Sequence, residues 1–165
     1  MPGAGRPVGF ICARCQRTSS ICTGVGLADG WLGCLSTPPQ IVSPLANCNL
    51  EMVDDRAFGT GTLALQSGHA NVFKGWLDAA GVANPVYWMR FDDTNAERHM
   101  QTSFSLTEQR ADVAAARPDA PLVSGFRLTL PHGVLPVGSY HVYLAVESGG
   151  KTYVCDSGRY IDANH

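Results

Sequence analysis

Cysteine spacing is the first feature of this chain that suggests chemistry. Cys12-x2-Cys15-x6-Cys22-x11-Cys34 places four thiols in the first 34 residues. Four thiolates can hold zinc tetrahedrally, and Cys-x2-Cys is a proper half-site. The second close pair of a zinc ribbon is missing, and this stretch contains no histidine. Three readings of Cys12, Cys15, Cys22 and Cys34 therefore stand: one zinc ion, two local disulfides, or an unstructured cysteine-containing tail. A thioredoxin-like redox role for Cys12 and Cys15 would need a βαβ setting, and the surrounding residues do not supply one.

The other reactive residue types are scattered. His69, His99, His132, His141 and His165 have neither an i, i+4 partner nor metal-type spacing, and are read as surface histidines. Asp54-Asp55 and Asp92-Asp93 offer carboxylate oxygens to calcium. Neither lies in a loop with regular calcium spacing, so both are read as turns with solvated acids. Arg110 and Asp112 are read as a charge pair that pins a loop. There is no Gly-x-Ser-x-Gly elbow and no nucleophile–base pair legible by spacing. Trp76, Trp88, Tyr87, Tyr140, Tyr143 and Tyr153 suggest a platform for sugar rings, but one Trp of a sandwich is usually buried against the opposite sheet. Trp76 is read as core. Tyr143 and His141 are read as the outward, ligand-binding candidates if Tyr140 points inward.

The elements that would carry these groups read as strands. Val86–Phe91 is rich in β-branched and aromatic residues, which suit a half-buried pleated surface. Phe126, Leu128 and Leu130 recur at period two, as do Tyr140, Val142, Leu144 and Val146, so one face of each segment enters a core. Thr62–Gln66, Asn71–Leu77, His99–Leu106, Lys151–Cys155 and Arg159–Ile161 complete the strand set. Pro131–Gly138 and Gly149-Gly150 are the turns, and Glu108–Arg117 is the one helix-prone stretch, ended by Pro118. About seven or eight short strands in roughly 105 residues predict an all-β fold, an antiparallel immunoglobulin-like β-sandwich with an irregular N-terminal segment.

Composition divides the chain near residue 48. Residues 1–47 carry Arg6, Arg14 and Arg17 against Asp29, a formal +2 within a total of −2, so residues 48–165 carry −4. The first part shows no helical period and no sustained alternation, and is read as irregular; residues 48–165 are read as the sandwich domain. Gly 18 and Pro 10 in 165 residues fall below the ~25–30% share that marks low complexity. The net charge of −2 argues against a nucleic-acid partner. The longest stretch without Asp, Glu, Lys or Arg, Gly30 to Leu50, is broken by Pro38, Pro39 and Pro44, so no membrane span is expected. The apolar run Val8–Ala13 is short for a secretory signal peptide. Oligomeric state stays open, since an uncovered edge strand can pair with another chain.

Several separated pieces carry a family resemblance. They are Cys48 with Val53-Asp54, Gly75-Trp76-Leu77, Pro85-Val86, Arg110-Ala111-Asp112-Val113, Ser124-Gly125-Phe126, Leu135–Tyr140, Leu144-Ala145 and Cys155. Their order and spacing resemble a small immunoglobulin-like domain of proteobacterial envelope proteins. That domain is often attached to membrane glycosyltransferases of the dolichyl-phosphate-mannose mannosyltransferase or aminoarabinose-transferase type. The resemblance covers about residues 48–163. It implies a periplasmic or cell-envelope location, with the cytoplasm as the alternative. It also implies a non-catalytic accessory or interaction role, with no cofactor unless zinc is held. The partner would be a protein or an envelope glycan. A carbohydrate-binding module and a zinc-carrying interaction protein are the rival functions. By the same resemblance, Cys48 and Cys155 form a pair; two free buried thiols are the alternative. Closing a loop of that length would contribute roughly 4–5 kcal/mol in the chain-entropy treatment.

Overall fold

A computed structural model describes residues 33–34, 41–44 and 47–164, the first two stretches as backbone. These residues form twelve strands and one short helix. The strands are β1 (Gly33–Cys34), β2 (Ile41–Pro44), β3 (Cys48–Val53), β4 (Arg56–Ala57), β5 (Leu63–Ala64) and β6 (Asn71–Leu77). After them come β7 (Val86–Asp93), β8 (His99–Phe104), β9 (Glu108–Gln109), α1 (Ala111–Ala116), β10 (Val123–Leu130), β11 (Gly138–Ser148) and β12 (Lys151–Ala163). The chain is all-β in two sheets. The larger has the order β1-β8-β7-β11-β12-β2, with β5 also paired to β12; the smaller has the order β4-β3-β6-β10-β9. Every pairing is antiparallel except those of β2 and β5 with β12.

Period-two burial sets the faces. In β11, Tyr140, Val142, Leu144 and Val146 are buried, while His141 and Tyr143 alternate with them on the other face. In β6, Phe73 and Leu77 are buried and Val72, Lys74 and Trp76 are not. One core forms between the sheets. Phe73 of β6 meets Phe91 of β7 edge-on at 5.9 Å between ring centres, and Phe91 meets Tyr140 at 6.5 Å. The Tyr140 hydroxyl, buried with its ring, donates to the Pro136 carbonyl at 2.7 Å. That bond closes the turn entering β11 without leaving a buried polar group unpaired. Gly75 lets β6 run close to β3, because a side-chain carbon there would come within 2.2 Å of the Asn49 carbonyl oxygen.

A disulfide joins Cys48 of β3 to Cys155 of β12, so it ties the first strand of the small sheet to the last strand of the large one. Close by, β12 carries an irregularity. Val142 pairs with Arg159 but Tyr143 pairs with Asp156, which leaves Ser157 and Gly158 as two extra residues. Gly158 has φ +63°, a left-handed backbone that glycine adopts without strain. The Ser157 hydroxyl donates to the Val142 carbonyl within the bulge. An insertion of two residues, unlike one, preserves the in–out alternation on both sides of it.

Several expectations are corrected. Trp76 is not core: period two places it on the outer side of β6, half-buried, while Phe73 and Leu77 fill the core. The helix is shorter than Glu108–Arg117, because Glu108-Gln109 pairs with β10 and only Ala111–Ala116 coils. Lys151–Cys155 and Arg159–Ile161 belong to one strand, continuous through the bulge. Asp92-Asp93 lies inside β7 rather than in a turn, and the Asp93 side chain is buried against Arg98. Within residues 1–47, Gly33–Cys34 and Ile41–Pro44 are paired strands, not irregular chain. Cys12, Cys15 and Cys22 lie outside the described residues, and for Cys34 only the backbone pairing with Met100 is described.

Replacing both Cys48 and Cys155 with alanine is expected to lower the free energy of unfolding by about 4–5 kcal/mol, the scale for closing a loop of this length. Urea denaturation of the oxidised protein and the double variant checks this. Equal midpoints would mean that the bridge does not restrain the unfolded chain.

Candidate functional site

The polar residues that the sequence scatters converge on the outward face of the larger sheet. Strand register lays them out in two adjacent rows across β8, β7, β11 and β12. One row runs His99–Asp92–His141–Tyr160, and the next runs Gln101–Arg90–Tyr143–Asp156. Each residue is an outward position of its strand, set opposite the core residues by the alternation described above.

Most of these side chains are committed to one another. Arg90 donates from Nε to Asp92 Oδ1 at 2.6 Å and from Nη2 to Asp92 Oδ2 at 2.8 Å, a two-pronged ion pair. His99 Nδ1 lies 2.9 Å from Asp92 Oδ1. His141 bridges two partners: Nε2 is 2.6 Å from Asp156 Oδ1, and Nδ1 is 2.8 Å from the Tyr143 hydroxyl. An imidazole protonated at Nε2 satisfies both contacts, donating to Asp156 and accepting from the phenol. Burial, with the carboxylates of Asp156 and Asp92, pushes the Tyr143 phenol above its ordinary range. Tyr143 therefore stays protonated at neutral pH and serves as a donor, not as a phenolate nucleophile. The Tyr160 ring stacks on His141 with centres 4.4 Å apart and planes 19° apart.

Accessibility is uneven across this face. Arg90 is only 6% exposed, and Ala145 and Val154 in the next row are buried. Openness rises toward β12, where Tyr160 is 41% exposed and the Asp156 side chain 59%. The sequence-predicted ligand residues His141 and Tyr143 thus lie side by side and outward, but half-buried, with Tyr160 and Asp156 beyond them. Sequence reasoning missed those two partners because Ser157-Gly158 reads as a break between two strands, whereas it is a bulge that keeps one strand paired to β11 and sets its register. Among the described residues, no three His, Cys, Asp or Glu side chains gather as a metal-binding group.

A second polar cluster sits on the small sheet. Arg110 donates to both carboxylate oxygens of Glu51 at 2.9 Å each and to both of Asp112 at 2.8 and 2.6 Å. Its stem lies over Gly125, where a side-chain carbon would come 2.9 Å from Arg110 Cγ. Arg110 and Asp112 thus pin the segment leading into α1, as the sequence suggests, with Glu51 as the third member. Hydrogen bonds from Arg110 hold the Asp112 carboxyl at about 2, below its ordinary 3.8. At the domain end, Asp78 and Arg117 form a looser pair at 3.5 Å beside an open cleft of about 520 Å³.

No family model, curated protein or solved structure matches this chain. Among the described residues, no helix is long and apolar enough to cross a membrane.

Two outcomes follow. Tyr143→Phe keeps the ring but leaves His141 Nδ1 without its donor; the expected loss is about 1 kcal/mol of stability, checked by urea denaturation. For Asp112 the folded pKa is depressed, so its contribution is present above the unfolded value and is lost as pH falls from about 4 through about 2. Thermal melts across that window should show a shallower acid decline in Asp112→Asn than in the parent; identical declines would contradict the pairing.

Proposed function

We propose that residues 48–164 form an immunoglobulin-like β-sandwich that serves as a non-catalytic accessory or interaction domain of a bacterial envelope protein. Its place would be beside membrane machinery that modifies glycans. The fold part of this reading is supported by strand order. β3, β6, β10 and β9 take the places of the A, B, E and D strands, and β8, β7, β11 and β12 those of C′, C, F and G. The hydrogen bond from buried Tyr140 to Pro136, at the start of the F-equivalent strand, resembles the tyrosine corner of such domains.

The observation that carries the envelope assignment is the Cys48–Cys155 bridge between the two sheets. Disulfides of this structural kind persist in oxidising compartments such as the periplasm and are rare in the cytosol. The interaction role is supported by the outward face of the larger sheet. There the charged groups satisfy one another and the phenol of Tyr143 is held as a donor, so the face offers a preorganised surface rather than an activated nucleophile. One observation favours a carbohydrate-binding module as a second reading. The Tyr160 ring, backed by His141, is an exposed aromatic of the kind on which sugar rings stack.

The test places a photo-crosslinking residue at position 160 in cells of a proteobacterium that expresses the chain. The expected result is an adduct with an integral-membrane glycosyltransferase in the envelope fraction. Adducts with glycan alone would favour the second reading. Chain recovered from the cytosol with Cys48 and Cys155 reduced would overturn the envelope assignment.

A further inference from the structure

Among the described residues, the outward face of the larger sheet leaves several hydrogen-bonding groups unused, including the buried Trp88 Nε1 and the exposed Glu147 carboxylate, and two of them lie beside His141 on β12. Asp156 Oδ1 takes the contact with His141 and also accepts from the Gly158 backbone N–H at 2.7 Å. Among the described residues, Oδ2 of the same carboxylate has no partner, although the side chain is 59% exposed. Tyr160, on the adjacent outward row, is 41% exposed, and among the described residues nothing hydrogen-bonds its hydroxyl. By contrast, the guanidinium of Arg90 on this face is spent on Asp92. Beside His141 the unused functions are thus one anionic acceptor, one phenol and one aromatic ring, and residues 48–165 as a whole carry a net −4.

That combination is complementary to a cation. A carboxylate supplies charge-assisted hydrogen bonds, and an aromatic ring attracts an ammonium or guanidinium over its face. These groups beside His141 span two rows on β12, between its pairings with β2 and β5, which suits a single side chain better than an extended polymer. We propose that Asp156 and Tyr160 form the anchor for one basic side chain, lysine or arginine, of a protein partner. The bulge builds this anchor: the extra Ser157 and Gly158 set Asp156 opposite Tyr143 and Tyr160 opposite His141, and the Gly158 N–H orients the carboxylate. The anchor rests on the reading of the chain as an interaction domain and names the chemistry its partner must present.

The test is a titration of the uniformly 15N-labelled full chain, read as backbone amide shifts. The probes are the blocked amino acids Nα-acetyl-lysine methylamide and Nα-acetyl-arginine methylamide. Nα-acetyl-glutamine methylamide is the neutral control, with glucosamine and glucose as sugar probes. The two basic probes should move amides of residues 141–143 and 156–160, and the glutamine derivative should not. Asp156→Asn and Tyr160→Ala should each weaken the effect by about threefold or more, the scale of one exposed cation–π or ion-pair contact. Thermal melts of both variants confirm that they fold; Tyr160→Ala alters an exposed side chain and keeps the test informative if Asp156→Asn does not fold. No shift with either basic probe, or shifts unchanged in the variants, would overturn the anchor. Shifts of these amides by glucose but not by the basic probes would overturn the anchor while leaving the surface as a binding face. Glucosamine moving them more than the lysine derivative would overturn the protein source of the cation. If no probe moves them, the anchor fails and the interaction reading loses its support at this face.

Discussion

The structure depends on burial of one row of β11. Tyr140, Val142, Leu144 and Val146 fill the space between the sheets, with Phe73, Phe91 and Phe126 packed around them. Because strand side chains alternate, a slip of one residue would expose all four and bury His141 and Tyr143 instead. Exposing four large apolar side chains costs far more than any polar contact on the opposite face can return. The outward arrangement of His141 and Tyr143 is therefore a consequence of core packing. The hydrogen bonds among the outward residues refine a geometry that the core has already imposed.

Two local devices adapt this scaffold. Ser157 and Gly158 add two residues to β12, which keeps the core side of the strand in place while changing which outward residues face one another. The cost is a stretch of disrupted ladder, offset by the Ser157 hydroxyl on the Val142 carbonyl. Arg159, opposite core residue Val142, reaches across to the Leu50 carbonyl at 3.2 Å and packs over the Phe58 ring. That carbonyl lies where the register of β3 shifts against β6, so the guanidinium meets an acceptor at an irregular point of the ladder. Together with the nearby disulfide, these contacts join the two sheets along the β3–β12 side.

Much of this was legible in the sequence, for physical reasons. The period-two pattern of Tyr140–Val146 and of Phe126–Leu130 reflects burial of one face, and both segments are strands with those residues inward, Leu128 only partly so. The pairing of Cys48 with Cys155 came from resemblance, and the bridge is present. What the sequence hid was long-range register. Nothing local links His99 to Asp92 or Arg110 to Glu51, since these contacts depend on which strands become neighbours. Trp76 misled because a sandwich usually buries one Trp against the opposite sheet, whereas its position in the alternation puts it outside. Glu108-Gln109 misled because helix propensity is weak against the ladder offered by β10.

The Cys48–Cys155 bridge closes the core between the two sheets. The most direct measurement is non-reducing peptide mapping of the chain isolated from its native cell, with thiols alkylated at lysis. The expected result is a single cross-linked peptide pair containing Cys48 and Cys155, which separates only after reduction. Alkylated Cys48 and Cys155, or either one bridged to Cys12, Cys15, Cys22 or Cys34, would contradict it.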